Sequence, residues 1–284
     1  MIRLGGNGLP IGSDDPVAFA RAHRAFGYGA AYCPPVEIGD GARLADIEMA
    51  FAAEDVIIAE VGIWRNLVTR DAPVRKANRD FAAEKLAVAD AVGARCAVTY
   101  IGSYALGSDY GPSPENLTDE AFDDAVEAVR AVIDTVKPKR AKFALEMEQY
   151  SLPDSVDMYE KLIRAVDRPA FAAHVDPVNL VLSPRTYFDT GSLLREIFAK
   201  LGAWIVSCHA KDIVLRHQLA LHFDEIIVGK GMLDYRTFLT ELDRLGRDVP
   251  LMMEHLDDPD YAVARDAIFR IGDEIGVSFS GRGA

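Results

Sequence analysis

Residues 170–179 read Ala170-Phe171-Ala172-Ala173-His174-Val175-Asp176-Pro177-Val178-Asn179. A short apolar run stops on a carboxylate and breaks at a proline, which cannot continue a central strand. Three other stretches share the design: Lys142-Phe143-Ala144-Leu145-Glu146, Trp204-Ile205-Val206-Ser207-Cys208-His209 and Pro250-Leu251-Met252-Met253-Glu254. Each ends on one good metal ligand. The four ligands, Glu146, Asp176, His209 and Glu254, lie 30, 33 and 45 residues apart. One strand–helix–strand unit takes about 30 residues or more. The spacing therefore places each ligand at the end of a successive strand.

Outward from these stretches the chain keeps alternating. Strands are expected at 2–5, 30–33, 55–63 and 96–101, each followed by a helical pattern, at 16–26, 42–53, 73–92 and 119–136. Further helices are expected at 155–166, 192–201, 235–245 and 261–275. Asp14 or Asp15 caps the first helix, which takes Pro16 in its first turn; Gly93 ends the third. Eight strands alternating with eight helices, with no linker-like shift in composition, predict a single α/β domain over 1–284, a (β/α)8 TIM barrel. A doubly wound open sheet is the alternative, and no GxGxxG follows the first strand to support it. Two loops are long enough to be lids or binding loops, 102–118 with Tyr104, Asp109 and Tyr110, and 177–190. The stretch after His209 is expected to hold a hairpin at 221–228.

Side-chain parity supports a meeting of the four ligands, because residues two apart on a strand share a face. With Glu146 goes Ala144; with Asp176 go His174 and Ala172; with His209 go Ser207 and Ile205; with Glu254 goes Met252. The opposite parity holds Phe143, Leu145, Phe171, Val175, Trp204, Val206, Cys208, Leu251 and Met253, a bulkier set suited to facing helices. Three carboxylates and one imidazole at the C-terminal strand ends make a hard, oxygen-rich site for one divalent cation. Mn²⁺ or Mg²⁺ suits it best, with Co²⁺ or Zn²⁺ as alternatives. A strand-end acid is often only a helix cap, but four in succession with matching parity are hard to read that way.

Composition narrows the partners. The chain has 284 residues, a formal charge of −13 and six histidines. Such a charge repels nucleic acid phosphates. No run of 18 apolar residues occurs and no apolar core of a signal peptide follows Met1, so a cytoplasmic protein is expected. Cys33, Cys96 and Cys208 are far apart in apolar runs and read as reduced thiols.

The pattern resembles the sugar phosphate isomerase/epimerase superfamily with the xylose isomerase-like TIM barrel, which includes ketose 3-epimerases, hydroxypyruvate isomerase and inosose dehydratases. The resemblance rests on Ala144-Leu145-Glu146, His174-Val175-Asp176-Pro177-Val178-Asn179, Cys208-His209-Ala210-Lys211-Asp212, residues 228–235, and Met253-Glu254-His255, and it spans nearly the whole chain. It implies one divalent cation on Glu146, Asp176, His209 and Glu254, with the two glutamates doubling as acid/base groups. It implies a small-molecule carbohydrate substrate and a homodimer or homotetramer. Two positions depart from the ketose 3-epimerases: Asn179 stands where they often carry a histidine, and Leu215 where they place an arginine, with Arg216 one residue late.

The chemistry expected of such a set is isomerisation or epimerisation of a keto-sugar or keto-polyol through a metal-stabilised enediolate. Loss of a β-hydroxyl or of a 3-keto glycoside's leaving group, a dehydratase or lyase outcome, is the alternative. An apurinic endonuclease on the same barrel fits less well, since six histidines and the acidic charge oppose it. A non-catalytic sugar-binding barrel would have no need of the ligand set. Around the site, His174 is a candidate for a hydrogen-bond partner behind the ligands, a substrate contact or a core residue. Lys211 is a candidate to protonate an oxyanion. Glu60, Gly62 and Trp64 share one strand face, and Trp64 is suited to stack on a sugar. Arg65 and Arg216 are candidates for an anionic group. His255 has helix-facing parity and reads as structural.

Overall fold

The computed structural model describes residues 1–9 and 13–282. In chain order it runs β1 (Ile2–Gly6), α1 (Pro16–Ala25), β2 (Ala30–Tyr32), α2 (Gly41–Ala53), β3 (Ile57–Gly62), α3 (Ala72–Val92), β4 (Cys96–Thr99), α4 (Asp119–Val136), β5 (Lys142–Glu146), α5 (Val156–Val166) and β6 (Phe171–Val175). The order continues with α6 (Pro184–Tyr187), α7 (Thr190–Leu201), β7 (Ile205–Ala210), β8 (Asp212–Arg216), β9 (His222–Ile226), α8 (Tyr235–Arg244), β10 (Val249–Met253) and α9 (Asp258–Ile275). Eight parallel strands close into a barrel in the order β1-β10-β7-β6-β5-β4-β3-β2, a (β/α)8 TIM barrel, with β8 and β9 outside it as an antiparallel pair.

Local chemistry explains the boundaries. Asp15, Asp71, Thr118, Ser155 and Asp234 each accept a backbone N–H from the first turn of the helix they precede, satisfying a donor that the helix itself cannot. Gly93 and Gly276 end α3 and α9 in the left-handed region. Closure between β1 and β2 runs through Gly5, paired with Ala30. A Cβ on Gly5 would stand 2.5 Å from the Ala30 carbonyl oxygen, so the seam needs glycine.

The core divides as the parity predicts on three of the four ligand strands. Phe143, Leu145, Phe171, Val175, Leu251 and Met253 belong to the large layer between strands and helices. Inside the barrel lie small groups, Ala30, Ala59 and Met252 in one and Cys96, Val98 and Ala144 in the other. On β7 the expectation fails at its first two residues. Ile205 packs in the helix-side layer, and Val206 packs with Ala144 and Cys96 inside. The cause is a bulge: Ala173 pairs with Ile205 and His174 with Ser207, so Val206 is an extra residue. A bulge resets the alternation. Beyond it Ser207 and His209 face inward, as their parity requires.

The Tyr159 hydroxyl sits beside this irregularity. It donates to the Leu145 and Ala172 carbonyls and accepts from the His174 backbone N–H, bridging β5 and β6. Cys96 and Cys208 are buried and Cys33 half-buried, all as free thiols. Burial pushes the first two well above the ordinary thiol range. Among the described residues no helix is long and apolar enough to cross a membrane.

Candidate metal centre and active site

Strand ends bring the expected ligands together. Glu146 closes β5, Asp176 follows β6, His209 lies near the end of β7 and Glu254 follows β10. One ligand atom from each lies within 4.8 Å of all the others. His209 Nδ1 stands 2.8 Å from Glu146 Oε1, 2.8 Å from Glu254 Oε1 and 3.8 Å from Asp176 Oδ2. Asp176 serves two ends: Oδ1 accepts the Val178 N–H at 3.0 Å and caps the turn after β6, while Oδ2 faces the cluster. Lys211 Nζ reaches in from the side, 2.6 Å from Glu254 Oε1 and 2.8 Å from Asp176 Oδ2.

Behind His209 lies a second buried polar group. Glu60 Oε1 accepts from Ser207 Oγ and meets His174 Nε2 at 3.0 Å; its Oε2 is 3.4 Å from His209 Nε2. The His174 and His209 rings meet edge to face at 4.2 Å. Glu60 thus holds the far nitrogen of the imidazole whose near nitrogen faces the carboxylates. This is the usual outer support of a metal-binding histidine.

The donor set fits a divalent cation on two grounds. Among the described residues eight buried side-chain polar atoms make no well-aligned hydrogen bond, and five of them are Glu60 Oε2, His174 Nδ1, Asp176 Oδ2, His209 Nε2 and Glu254 Oε1, of which all but His174 Nδ1 have only ion-pair contacts within the cluster. Buried polar atoms rarely go unpaired away from functional sites. Three carboxylate oxygens and one imidazole nitrogen are also the donors that hard divalent ions prefer.

Electrostatics follow from the same crowding. Burial opposes charge on Asp176, Glu254, His209 and Glu148, yet pairing wins for the first three. Burial would raise Asp176, but Lys211 and His209 hold it well below the carboxylate range. Burial would likewise raise Glu254, but His209 and Lys211 bring it down to about 2. His209, disfavoured as a cation by burial, is held protonated by Glu254, Glu146 and Glu60. Glu148 goes the other way. Burial and the nearby charge of Glu146 push it up to about 8.

A cavity of about 690 Å³ opens over the cluster, lined by residues that include Trp64, Tyr100, Tyr110, Glu146, Asn179, Lys211 and Glu254. Glu60 reaches its floor but is almost fully buried and engaged with Ser207 and His174, so it supports the ligands from behind. His174 is wholly buried and off the cavity lining. Asn179 lines the wall and donates to the Met147 carbonyl, tying the loops after β5 and β6. Arg216 is not brought to the cavity. It ends β8 and donates to Asp224 across the exposed hairpin. The antiparallel register of β8 with β9, Asp212 with Ile226 through Arg216 with His222, carries it outward. The hairpin arms therefore lie at 212–216 and 222–226, not within 221–228. Arg65 also turns away, over the Phe81 ring.

Several lining residues escaped the sequence reading. His255, read there as structural, stands at the mouth: its backbone has φ 57, and its Nδ1 is 3.0 Å from Glu225 Oε2. The left-handed backbone undoes the strand parity. Glu148 had a usable signal, since it lies two residues beyond Glu146. Glu225 had none, because only the hairpin's return places it there. Tyr100, just past the end of β4, was also missed, whereas Tyr110 lies in the long loop expected to be a lid or binding loop and does line the cavity.

A closed parallel barrel with a carboxylate–imidazole cluster at its C-terminal end defines a (β/α)8 protein with its candidate chemistry at the customary face. The chain belongs to the Xylose isomerase-like TIM barrel family, whose profile matches residues 21–272. Similar folds include L-ribulose 3-epimerase, at 17% identity and TM-score 0.70, covering 97% of this chain and 95% of that one. A xylose isomerase-like TIM barrel protein from Mycobacterium smegmatis, in complex with magnesium, has 18% identity and TM-score 0.67, covering 96% and 97%. The probable 3-DHS dehydratase AsbF from Bacillus anthracis has 13% identity and TM-score 0.68, covering 95% and 98%. No curated protein sequence matches the chain.

Proposed function

We propose that this protein is a divalent-metal-dependent sugar isomerase or epimerase acting on a keto-sugar or keto-polyol. The observation that carries the reading is the convergence of Glu146, Asp176 and Glu254 on His209 Nδ1 at the floor of a cavity. Those four residues would hold the cation, with Mn²⁺ or Mg²⁺ favoured by the oxygen-rich set. A cation there supplies Lewis acidity, drawing charge from a carbonyl and its neighbouring hydroxyl and so acidifying the C–H between them.

The chain's own groups do the rest. Glu146 and Glu254 arrive from β5 and β10, so they approach a bound ring from different sides. One carboxylate takes the proton from the acidic carbon, and the other returns one after it has itself been protonated from Lys211 or solvent. Return to the opposite face of the same carbon inverts it; return to the neighbouring carbon isomerises. Lys211, held against Asp176 and Glu254, keeps those carboxylates ionised and offers a donor to an oxygen that gains charge. Glu146→Gln, assayed at saturating metal in D₂O, should cut C–H exchange of a keto-sugar by about 10²–10⁴-fold. A wild-type exchange rate in that variant would remove Glu146 as the base.

A dehydratase or lyase outcome has its own support. Glu148, whose carboxyl pKa burial raises, lines the same cavity as Lys211, so two acidic groups stand near a departing hydroxyl. Loss of water from a β-hydroxy ketone, followed as an absorbing enone, distinguishes this outcome from epimerisation.

A further inference from the structure

Resting on the acid/base reading above, we propose that the cavity takes an uncharged glycoside. The keto ring lies over the carboxylates, and a second flat ring lies along Trp64, Tyr100 and Tyr110. The three aromatic rings form a row that leads from the ligands to the rim. Trp64 lies 6.5 Å from the His209 ring, Tyr100 lies 6.0 Å from Trp64, and Tyr110 lies 5.5 Å from Tyr100, centroid to centroid. Tyr110, at the outer end, is 57% exposed. Aromatic faces of this kind bind flat groups with an apolar side, either an aryl ring or the C–H face of a sugar.

The row begins on a strained backbone. Trp64 has φ 50, and its indole covers Gly62, where a Cβ would come within 2.6 Å of Nε1. A bulky residue in the left-handed region is costly and survives only where its surroundings impose it. Among the described residues five non-glycines have positive φ. Asp55, Lys137 and Asp167 follow helix ends, where that backbone is routine; Trp64 and His255 line the cavity.

Size and charge decide the rest. About 690 Å³ falls in the ~300–1,000 Å³ range that takes a drug-sized ligand, with room beyond one pyranose. Among the described residues no arginine lines the cavity, and Lys211 and His255 already lie on carboxylates. A phosphate would meet Glu146, Glu148, Glu225 and Glu254 instead. The cavity therefore offers a sugar phosphate no unpaired cationic side chain.

The test measures binding of five probes to the Mn²⁺-loaded protein by calorimetry. They are D-fructose, fructose 6-phosphate, methyl and phenyl 3-keto-β-glucopyranoside, and the 3-keto disaccharide with glucose in place of phenyl. The phenyl glycoside or the disaccharide should bind at least ~10-fold more tightly than the methyl glycoside, and whichever is tighter identifies the second ring. Tyr110→Ala should erase that preference and Tyr110→Phe should keep it. Fructose 6-phosphate should bind most weakly. Equal binding of methyl and ringed glycosides, a preference that survives Tyr110→Ala, or tightest binding by fructose 6-phosphate overturns the proposal. Exchange into D₂O is read alongside. Exchange without ring preference keeps the acid/base reading and overturns this one; ring preference without exchange on any probe does the reverse.

Discussion

At the N-terminal end of the barrel Arg3 donates to Asp248 Oδ2 at 2.8 Å, to the Asp55 carbonyl at 2.9 Å and to Asp55 Oδ1 at 3.1 Å. At the C-terminal end Glu146, Asp176 and Glu254 converge on His209 Nδ1, with only Lys211 reaching in beside it. Arg3 lies on β1, and its partners stand just before β3 and β10, the strands that carry Glu60 and lead to Glu254 at the other end. One end matches each donor to an acceptor and ties strands together. The other crowds three buried carboxylates around one imidazole and one ammonium, which stability alone does not favour. The comparison separates the residues that hold the barrel from those kept for a ligand, and substitutions at the two ends should have separable effects.

The largest expected effect is at the carboxylates proposed as acid and base. Glu146→Gln should lower turnover by about 10²–10⁴-fold while the thermal midpoint of the metal-free protein holds or rises, because a buried negative charge is removed. A large fall in that midpoint would make Glu146 a structural residue and erase the contrast between the ends.

Next comes the support beneath the cluster. Glu60→Gln keeps the size of the side chain but takes the charge from His209 Nε2. It should weaken binding of Mn²⁺ by about 10–100-fold, read by titration of the apo protein. Unchanged affinity would reduce Glu60 to a core polar group satisfied by Ser207 and His174.

Metal uptake should also depend on pH. Burial works against the His209 cation, but Glu254, Glu146 and Glu60 prevail and raise its pKa. A protonated imidazole cannot ligate, so uptake releases a proton from it. The sign follows: affinity weakens as pH falls, by about tenfold per unit wherever the free imidazole is protonated. Calorimetry in buffers of different ionisation heat counts the proton directly. No proton release would mean that the imidazole is already neutral in the free site.

Much of this contrast was legible in the sequence at one end only. Glu146, Asp176, His209 and Glu254 announced themselves because each terminates an apolar run, and strand parity is a local property that short-range pattern preserves. The parity argument failed where local geometry breaks the period. The bulge at Val206 swaps the faces of Ile205 and Val206, and the left-handed backbone at His255 turns a residue read as helix-facing to the cavity mouth. Arg216 was misplaced for another reason. Its position depends on the pairing of 212–216 with 222–226, a partner choice that residue type does not encode. The support at Glu60 was invisible as support. Its partners His174, Ser207 and His209 lie more than 100 residues away, and only closure of the barrel brings them under one carboxylate.

The smallest effect should be at the opposite end. Arg3→Met removes the guanidinium that joins β1 to the segments before β3 and β10, leaving Asp55 and Asp248 without their shared partner. Asp55 is 62% exposed and Asp248 28%, so water takes over much of the solvation, and the loss should be about 1–2 kcal/mol rather than the larger cost of a buried charge left alone. Denaturant unfolding reads that loss. Affinity for Mn²⁺ and the rate of C–H exchange should stay at wild-type values, because the substituted side chain lies at the far mouth of the barrel and touches none of the ligands. A weaker metal site in Arg3→Met would mean that the two ends are mechanically coupled through the strands. The division between a stabilising end and a ligand-binding end would then have to give way to a single polar column running through the barrel.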